Sequence, residues 1–171
     1  MLTVIGIVLV SGACIGFVMQ QIGKQKRRLR AMGDFSRLLS ELAKSMDFTG
    51  ETLPNILKEL ASEEGEAEDF AELLVSELSK EEPKPFFELW KKSLEKVNER
   101  LSLGAEALSI LHHAGKRLGT QAKDEEISGL NKAAIALKEQ MEKEEESFLK
   151  NEKLLKSSGV LIGLFIIILF I

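Results

Sequence analysis

The chain carries an apolar segment at each end, and these two segments constrain its fold more than any other feature. Residues 1–23 contain no charged side chain. As a helix rising about 1.5 Å per residue, they would reach about 34 Å. The hydrocarbon core of a bilayer is about 30 Å thick. We therefore predict an N-terminal transmembrane helix over residues 1–23.

A cleaved signal peptide is the alternative interpretation of this segment. Signal peptides carry basic residues before the apolar stretch, whereas here they come after it, with no acid before Asp34. Basic residues are retained on the cytoplasmic side of a membrane, so this order places the N-terminus outside and the following domain in the cytoplasm. We call the five residues the basic neck: Lys24, Lys26, Arg27, Arg28 and Arg30.

The C-terminal apolar segment is shorter, but its flanking charges indicate the same topology. Residues 159–171 are wholly apolar and reach only about 20 Å as a helix. We predict a transmembrane segment over residues 157–171, with local bilayer thinning and snorkelling lysines closing the gap, and a half-inserted tail as the alternative. Lys150, Lys153 and Lys156 precede the segment and no basic residue follows it, which again places residues 24–156 in the cytoplasm.

Glycines at a spacing of four residues occur in both apolar segments: Gly12 with Gly16, and Gly159 with Gly163. This spacing lets two membrane helices approach closely. Gly16 lies seven residues from Gly23, and Gly163 lies seven residues from Lys156. In an antiparallel hairpin Gly16 and Gly163 would therefore lie at similar depth, and we predict that the two segments touch there. The alternative is that these glycines have no packing role.

The residues between the two ends predict helices alone. Apolar side chains recur at helical spacing in six runs, and no run alternates with a period of two. The connections are short, which favours antiparallel neighbours. We therefore predict an all-α domain over residues 24–156, an antiparallel bundle of about six helices flanked by the N- and C-terminal transmembrane helices.

Local signals predict where these helices begin and end. Asp34 is the predicted N-cap of the first amphipathic helix; the alternative is that this helix runs on from the membrane segment, with Gly33 as a weak point. The acid-rich residues 62–69 are predicted to form a loop. Gly119 is the predicted C-terminal cap of the fifth helix, and the sixth begins near Lys123 and runs unbroken into the last membrane segment.

Charge and cysteine usage exclude several classes of function. The chain has a net charge of −4, and with five of its 23 basic residues in the neck, 18 remain against 27 acids. An acidic body disfavours nucleic acid as a partner. The single cysteine, Cys14, allows neither an intrachain disulfide nor a cysteine-based metal site.

Residues that carry chemistry do not combine into a site. His112 and His113 are adjacent, so on a helix they point about 100° apart and cannot chelate one ion from one face. Gly115 and Lys116 match part of a phosphate-binding loop, but Ile110 and Arg117 replace its required residues. We therefore predict no enzymatic activity, cofactor, metal or small-molecule substrate.

Two further features have a structural and a functional interpretation each. Phe86, Phe87 and Trp90 form either a docking patch or part of the core, and their helical spacing favours the core. The acids of residues 142–146 form either a solvated face or a surface for a basic partner.

Short motifs along the whole chain resemble the stage III sporulation protein AB family. The most distinctive motif is Lys150-Asn151-Glu152-Lys153, followed by Lys156-Ser157, Gly159 and Gly163-Leu164. The weaker ones are Met1-Leu2, Ile5-Gly6, Gly16-Phe17, Thr52-Leu53-Pro54, Trp90, Ser93-Leu94-Glu95, Gly115 and Leu118-Gly119. The chain departs from the family pattern after Gly119, where Ala122, Asp124 and Ser128 stand in place of an earlier Asp and a Gln.

The resemblance implies a role in sporulation. The family is also similar to the cytoplasmic module of the inner-membrane platform proteins of type II secretion and type IV pilus systems. It implies a scaffold in the mother-cell membrane around the forespore, as part of the channel complex joining the two cells. Its implied partners are a hexameric secretion-type ATPase and other stage III sporulation channel proteins. The alternative is a membrane-tethered signalling or regulatory adaptor unrelated to sporulation.

Overall fold

A computed structural model of the chain describes residues 2–49, 51–61, 65–80, 84–119 and 122–170. Within these ranges, the exposure of the residue to solvent is described for Gly12 and for residues 16–152. Most side chains of the two predicted transmembrane segments therefore lie outside the described residues. In the part that is described, no helix combines the length and the apolar character needed to cross a bilayer.

The described chain is built from six helices, which confirms the predicted all-α class. They are α1 (Leu2–Phe48), α2 (Leu53–Leu60), α3 (Glu68–Leu78), α4 (Phe86–Leu101), α5 (Ala105–Arg117) and α6 (Lys123–Phe170). The chain divides into two compact units. Residues 27–142 form the bundle unit, and residues 1–26 and 143–171 form the end unit.

Helix α1 continues through Gly33, which confirms the alternative that the first amphipathic helix runs on from the N-terminal segment, and the predicted N-cap at Asp34 is wrong. A side-chain carbon added at Gly33 would lie 3.3 Å from the sulfur of Met141, so this glycine permits a close approach to α6. Ala31, Met32 and Phe35 around it are fully buried. Packing of this helical face outweighs the helix-breaking tendency of one glycine, which costs only about 1 kcal/mol relative to alanine.

The other predicted helix ends agree better with the structure. Gly119 has a φ of 75°, which confirms it as the left-handed residue after α5. Helix α6 begins at Lys123 and is continuous to Phe170, as predicted. The predicted acidic loop is shorter than 62–69, because Glu68 and Asp69 form the first turn of α3. Acids are favoured there by the positive end of the helix dipole.

An aromatic cluster lies in the core of the bundle unit. The Phe35 and Phe70 ring centroids are 5.3 Å apart, and the edge of Phe70 meets Trp90 at 4.8 Å and 78°. Phe86 lies 6.0 Å from Trp90 and packs against the core from a partly buried position. The cluster joins α1, α3 and α4, and it confirms the core interpretation for Trp90. Phe87 is only half-buried.

Helices α1 and α6 run antiparallel in the bundle unit. The Ser36 hydroxyl donates a hydrogen bond of 2.8 Å to the Ala134 carbonyl, and Gly33 faces Met141. A later position along α1 therefore meets an earlier position along α6. The first and last helices of the chain thus form one side of the same core.

Trp90 also determines how closely α4 and α5 approach. Its indole nitrogen donates a hydrogen bond of 3.0 Å to the Leu111 carbonyl, and its ring lies directly over Gly115. A side-chain carbon added at Gly115 would collide with the indole ring. Gly115 therefore provides the space that the fully buried Trp90 occupies.

We expect Gly115→Ala to lower the free energy of unfolding by about 1–3 kcal/mol, because the new methyl group displaces the indole ring. The measurement is chemical unfolding of the full-length chain in detergent, followed by circular dichroism.

Gly129→Ala in α6 is the matched control. A carbon added at Gly129 meets Arg117 only at 3.5 Å, an ordinary contact. This variant should be as stable as the parent, or more stable through its higher helix propensity. Equal losses in the two variants would contradict the proposed role of Gly115.

Candidate functional site at the basic neck

Arg27 of the basic neck belongs to a network of charges on the bundle unit. Its Nε lies 3.6 Å from the Glu66 carboxylate, which also lies 3.2 Å from Arg100. Arg100 in turn pairs with Asp69 at 2.5 Å. The Glu66 side chain at its centre is only 18% exposed, whereas Arg27 and Arg100 are 50% and 44% exposed. It joins α1, the α2–α3 connection, α3 and α4.

Asp34 holds the α2–α3 connection against α1. Its carboxylate accepts a hydrogen bond of 2.8 Å from the backbone N–H of Glu66. A carbon added at the neighbouring Gly65 would lie 3.1 Å from the same carboxylate, so the connection passes very close to α1. Asp34 therefore positions the backbone of the residue whose side chain binds Arg27.

Arg28 meets a second connection, the one between α4 and α5. Its guanidinium group lies against Gly104, where an added side-chain carbon would collide with it. The turn there is well defined: Ser102 has a left-handed φ of 53°, and the Asn98 side-chain oxygen accepts a 2.7 Å hydrogen bond from the Leu103 N–H. The basic neck is thus held by two connections of the bundle through two adjacent arginines.

The end unit contains the lysines that are predicted to determine the membrane topology. Lys26 of α1 lies 3.8 Å from Glu152 of α6, and Lys150 donates a 2.7 Å hydrogen bond to Glu146. Lys24 is exposed, as is Arg30 in the bundle unit. The side chains of Lys153 and Lys156 lie outside the described residues. The membrane topology that these residues predict stays a prediction.

The predicted contact between membrane-segment glycines stays a prediction as well. Gly12 and Gly16 are exposed, and a side chain added at either meets no described atom within 4 Å. Gly159 and Gly163, the other two predicted glycines, lie outside the residues whose side chains are described.

The two histidines differ in their surroundings. His113 is exposed, whereas His112 is half-buried and its Nε2 has no hydrogen-bond partner among the described residues. Burial lowers the pKa of His112 below its ordinary value of 6.5, against the opposing effect of the Glu95 carboxylate. Within the described residues, no group of three or more His, Cys, Asp or Glu side chains could hold a metal ion.

A further group of charged residues connects α3 to α4 in the bundle unit. The Glu77 carboxylate of α3 accepts hydrogen bonds from Lys80 at 2.6 Å and from Lys92 of α4 at 3.0 Å. These two bonds lower the pKa of Glu77 to about 2.

Three of the four acids at residues 142–146 are exposed, which agrees with a solvated face and leaves the partner interpretation untested.

Sequence reasoning identified the basic neck but missed what holds it. Arg27 and Arg28 were predicted only as determinants of topology, and Glu66 was assigned to a solvated loop. The contacts of the neck join residues far apart in the chain, for example Arg27 with Glu66. Periodicity carries no signal for such pairs.

Comparison with protein families matches residues 3–171 to the family described as stage III sporulation protein AB. The chain belongs to this family. A solved structure of a stage III sporulation protein AB has a TM-score of 0.66 to this chain at 18% identity, covering 72% of this chain and 97% of that one. At this identity the likeness supports the fold alone. Comparison with curated proteins finds no match.

Membership in the stage III sporulation protein AB family confirms the resemblance read from the motifs. The departure at Ala122 has a local structural consequence. Its carbonyl accepts hydrogen bonds from the N–H groups of Glu125 and Glu126, so it occupies the position before α6 where a polar cap is preferred. Alanine provides no side-chain acceptor there, but three acids in the first turn favour the helix through its dipole.

We expect Asp34→Ala to lower the free energy of unfolding by about 1 kcal/mol or more, because the Glu66 N–H loses its acceptor. Unfolding of the full-length chain in detergent, followed by circular dichroism, measures this loss.

Asp47→Ala is the control, since Asp47 is an exposed carboxylate on the same helix. A surface change of this kind should stay within about 0.5 kcal/mol. A stability loss in Asp34→Ala no greater than in Asp47→Ala would show that Asp34 does not hold the connection.

Proposed function

We propose that this chain is a membrane-anchored scaffold subunit of the sporulation channel complex between mother cell and forespore. Residues 1–23 and 157–171 span the mother-cell membrane that surrounds the forespore. Residues 24–156 lie in the cytoplasm, and both termini lie outside. The scaffold couples a cytoplasmic hexameric ATPase of the secretion type to the membrane components of the complex, and it catalyses no reaction itself.

The membrane anchors are supported by charge order and by the exposure of apolar side chains. Both apolar segments carry their basic flank on the side of the central domain. Phe17 and Met19, at the end of the N-terminal segment, are 62% and 71% exposed. Because they are two residues apart, about 200° of rotation around the helix axis separates them, and they project from nearly opposite faces. Large apolar side chains exposed on opposite faces suit a lipid environment better than water.

The scaffold role is supported by the way the bundle unit holds the neck. Arg27 and Arg28 are the first charged residues of α1 in this unit, and each contacts a different connection of the bundle. A displacement of either connection would therefore act directly on α1. Such an arrangement suits a protein that passes a binding or mechanical signal along a helix without a reactive group of its own.

The ATPase partner is supported by the resemblance of the family to secretion-system platform proteins, which contact a cytoplasmic hexameric ATPase. Membership in a sporulation family favours this role over an adaptor unrelated to sporulation. The energy for any movement would come from the ATPase, because the described residues carry no nucleotide-binding loop. The single observation that carries the proposal is the family match over nearly the whole chain.

We expect affinity purification of the tagged full-length chain from detergent-solubilised sporulating cells to recover the cognate ATPase and the channel proteins. Glu66→Arg, which places a third positive charge beside Arg27 and Arg100, should reduce this recovery by disturbing the neck. Glu59→Arg, an equal charge change on an exposed residue of α2, is the control.

Two results would contradict the proposed role. One is recovery of the chain without ATPase or channel proteins. The other is a deletion strain that forms normal spores but grows poorly, which would favour the adaptor.

We also propose that the two anchors pack together at their glycines. The Lys26–Glu152 ion pair sets the register of α1 and α6 in the end unit. Gly16 lies ten residues before Lys26, and Gly163 lies eleven residues after Glu152. At about 1.5 Å per residue, the two glycines would lie about 15 and 16.5 Å from the ion pair, nearly at one depth.

Cysteines at positions 16 and 163, in a chain whose single native cysteine is removed by Cys14→Ser, should form a disulfide in isolated membranes. The control pair combines position 16 with position 170, about 10 Å farther along the helix. Oxidation followed by non-reducing electrophoresis after proteolysis between the two anchors measures the linkage. Absence of the product at 16 and 163, or equal yield in the control pair, would contradict the packing.

A further inference from the structure

The charge of the chain is strongly segregated next to its two apolar segments. Residues 20–33 and 147–158 together contain eight basic residues and one acid, Glu152. The chain as a whole nevertheless has a net charge of −4. The rest of the protein is therefore markedly acidic, and the basic residues are concentrated at the level where the proposed anchors leave the membrane.

The one acid in this region is withdrawn from solvent. Glu152 is 14% exposed and pairs with Lys26 at 3.8 Å. Lys26 itself keeps 57% of its side chain exposed, so a single carboxylate covers only part of its ammonium group. The acid serves to join α6 to α1, and the next acid back along α6 is Glu146, which pairs with Lys150.

The exposed cations of the end unit lie on both helices around that contact. Lys24 is exposed on α1, two residues before Lys26. Lys150 on α6 is 72% exposed, and its partner Glu146 is an equally exposed residue one turn earlier in the same helix. We call Lys24, Lys26 and Lys150 the lysine collar. Lys153 and Lys156 continue the same run of lysines in the sequence.

Two of the three arginines of the neck have contacts in the bundle unit, and the third, Arg30, is exposed. Arg27 and Arg28 contact the protein, through Glu66 and Gly104. The collar consists only of lysines, which carry a compact ammonium group on a long flexible stem. Such a side chain can extend toward a phosphate group at the membrane surface while its methylene groups cover apolar surface.

We propose that the lysine collar binds the phosphate groups of anionic phospholipids in the cytoplasmic leaflet. This inference rests on the proposed membrane anchoring. Anionic lipids give that leaflet a negative surface potential that attracts basic residues beside a transmembrane helix. The potential acts only over about a Debye length, roughly 10 Å at 0.1 M salt, so it acts on the basic residues nearest the anchors.

The test uses the full-length chain reconstituted in vesicles of equal parts phosphatidylcholine and phosphatidylglycerol. After extraction in mild detergent, the phospholipids that co-purify with the protein are quantified by mass spectrometry. We expect phosphatidylglycerol to be enriched about fivefold over phosphatidylcholine, the factor expected for one lysine near an anionic surface, and the enrichment to fall with added salt.

The triple variant Lys24→Gln, Lys26→Gln, Lys150→Gln should abolish this enrichment. The control variant Lys44→Gln, Lys58→Gln, Lys132→Gln removes the same charge from exposed lysines of the bundle unit and should retain it. Enrichment that is absent in the parent, unchanged in the collar variant, or lost equally in the control variant would overturn the inference.

Alkaline extraction of the vesicles separates failure of this inference from failure of the proposed function. A parent chain that remains in the membrane pellet but shows no preference for phosphatidylglycerol overturns the lipid site alone. A parent chain that is released into the supernatant overturns both the anchoring and the lipid site. A collar variant that remains in the pellet shows that its loss of enrichment does not come from loss of insertion.

Discussion

The continuity of α1 is the constraint on which the rest of the structure depends. One helix runs from Leu2 to Phe48, so the basic neck and the buried residues Met32 and Phe35 belong to one continuous element of secondary structure. Gly33 falls in the middle of this helix, and burial of its neighbours keeps the helix intact there. Had the chain bent at Gly33, the aromatic cluster would no longer share an element with Arg27 and Arg28. The contacts of these arginines matter because α1 passes directly from the neck into the core.

The charges of the neck lie in two different environments. Two of its arginines contact the bundle unit: Arg27 reaches the carboxylate of Glu66, and Arg28 lies against the backbone of Gly104. A planar guanidinium suits both contacts, because its N–H groups can donate to a carboxylate and its flat face can stack on a peptide backbone. Lys24 and Lys26 remain largely exposed. A count of positive charges, which is what the topology rule uses, does not distinguish these two environments.

The sequence was most informative where a signal was local. Helical periodicity predicted the all-α class, the start of α6 at Lys123 and the core position of Trp90, and the left-handed Gly119 was predicted from the chemistry of helix ends. Asp34 shows where local reasoning fails. A short acid at the start of an apolar run is typical of an N-cap, but here its oxygen accepts a hydrogen bond from Glu66, 32 residues away. Glu66, in turn, lies in an acid-rich run that predicted only a solvated loop. Tertiary packing decides which of several neighbouring acids pairs with an arginine. The periodicity of a single sequence carries no signal for that choice.

The pairing of the first helix with the last has a consequence for biosynthesis. The hydroxyl of Ser36 binds the carbonyl of Ala134, 98 residues later, and the apolar face of α1 is completed by residues as late as Met141. During translation α1 therefore emerges long before its partner exists. Until α6 leaves the exit tunnel, the apolar side chains of α1 need to be shielded from water by the ribosome, a chaperone or the shorter helices. A ribosome that stalls before codon 134 would leave a nascent chain with this face open, and such a chain is prone to aggregation and proteolysis.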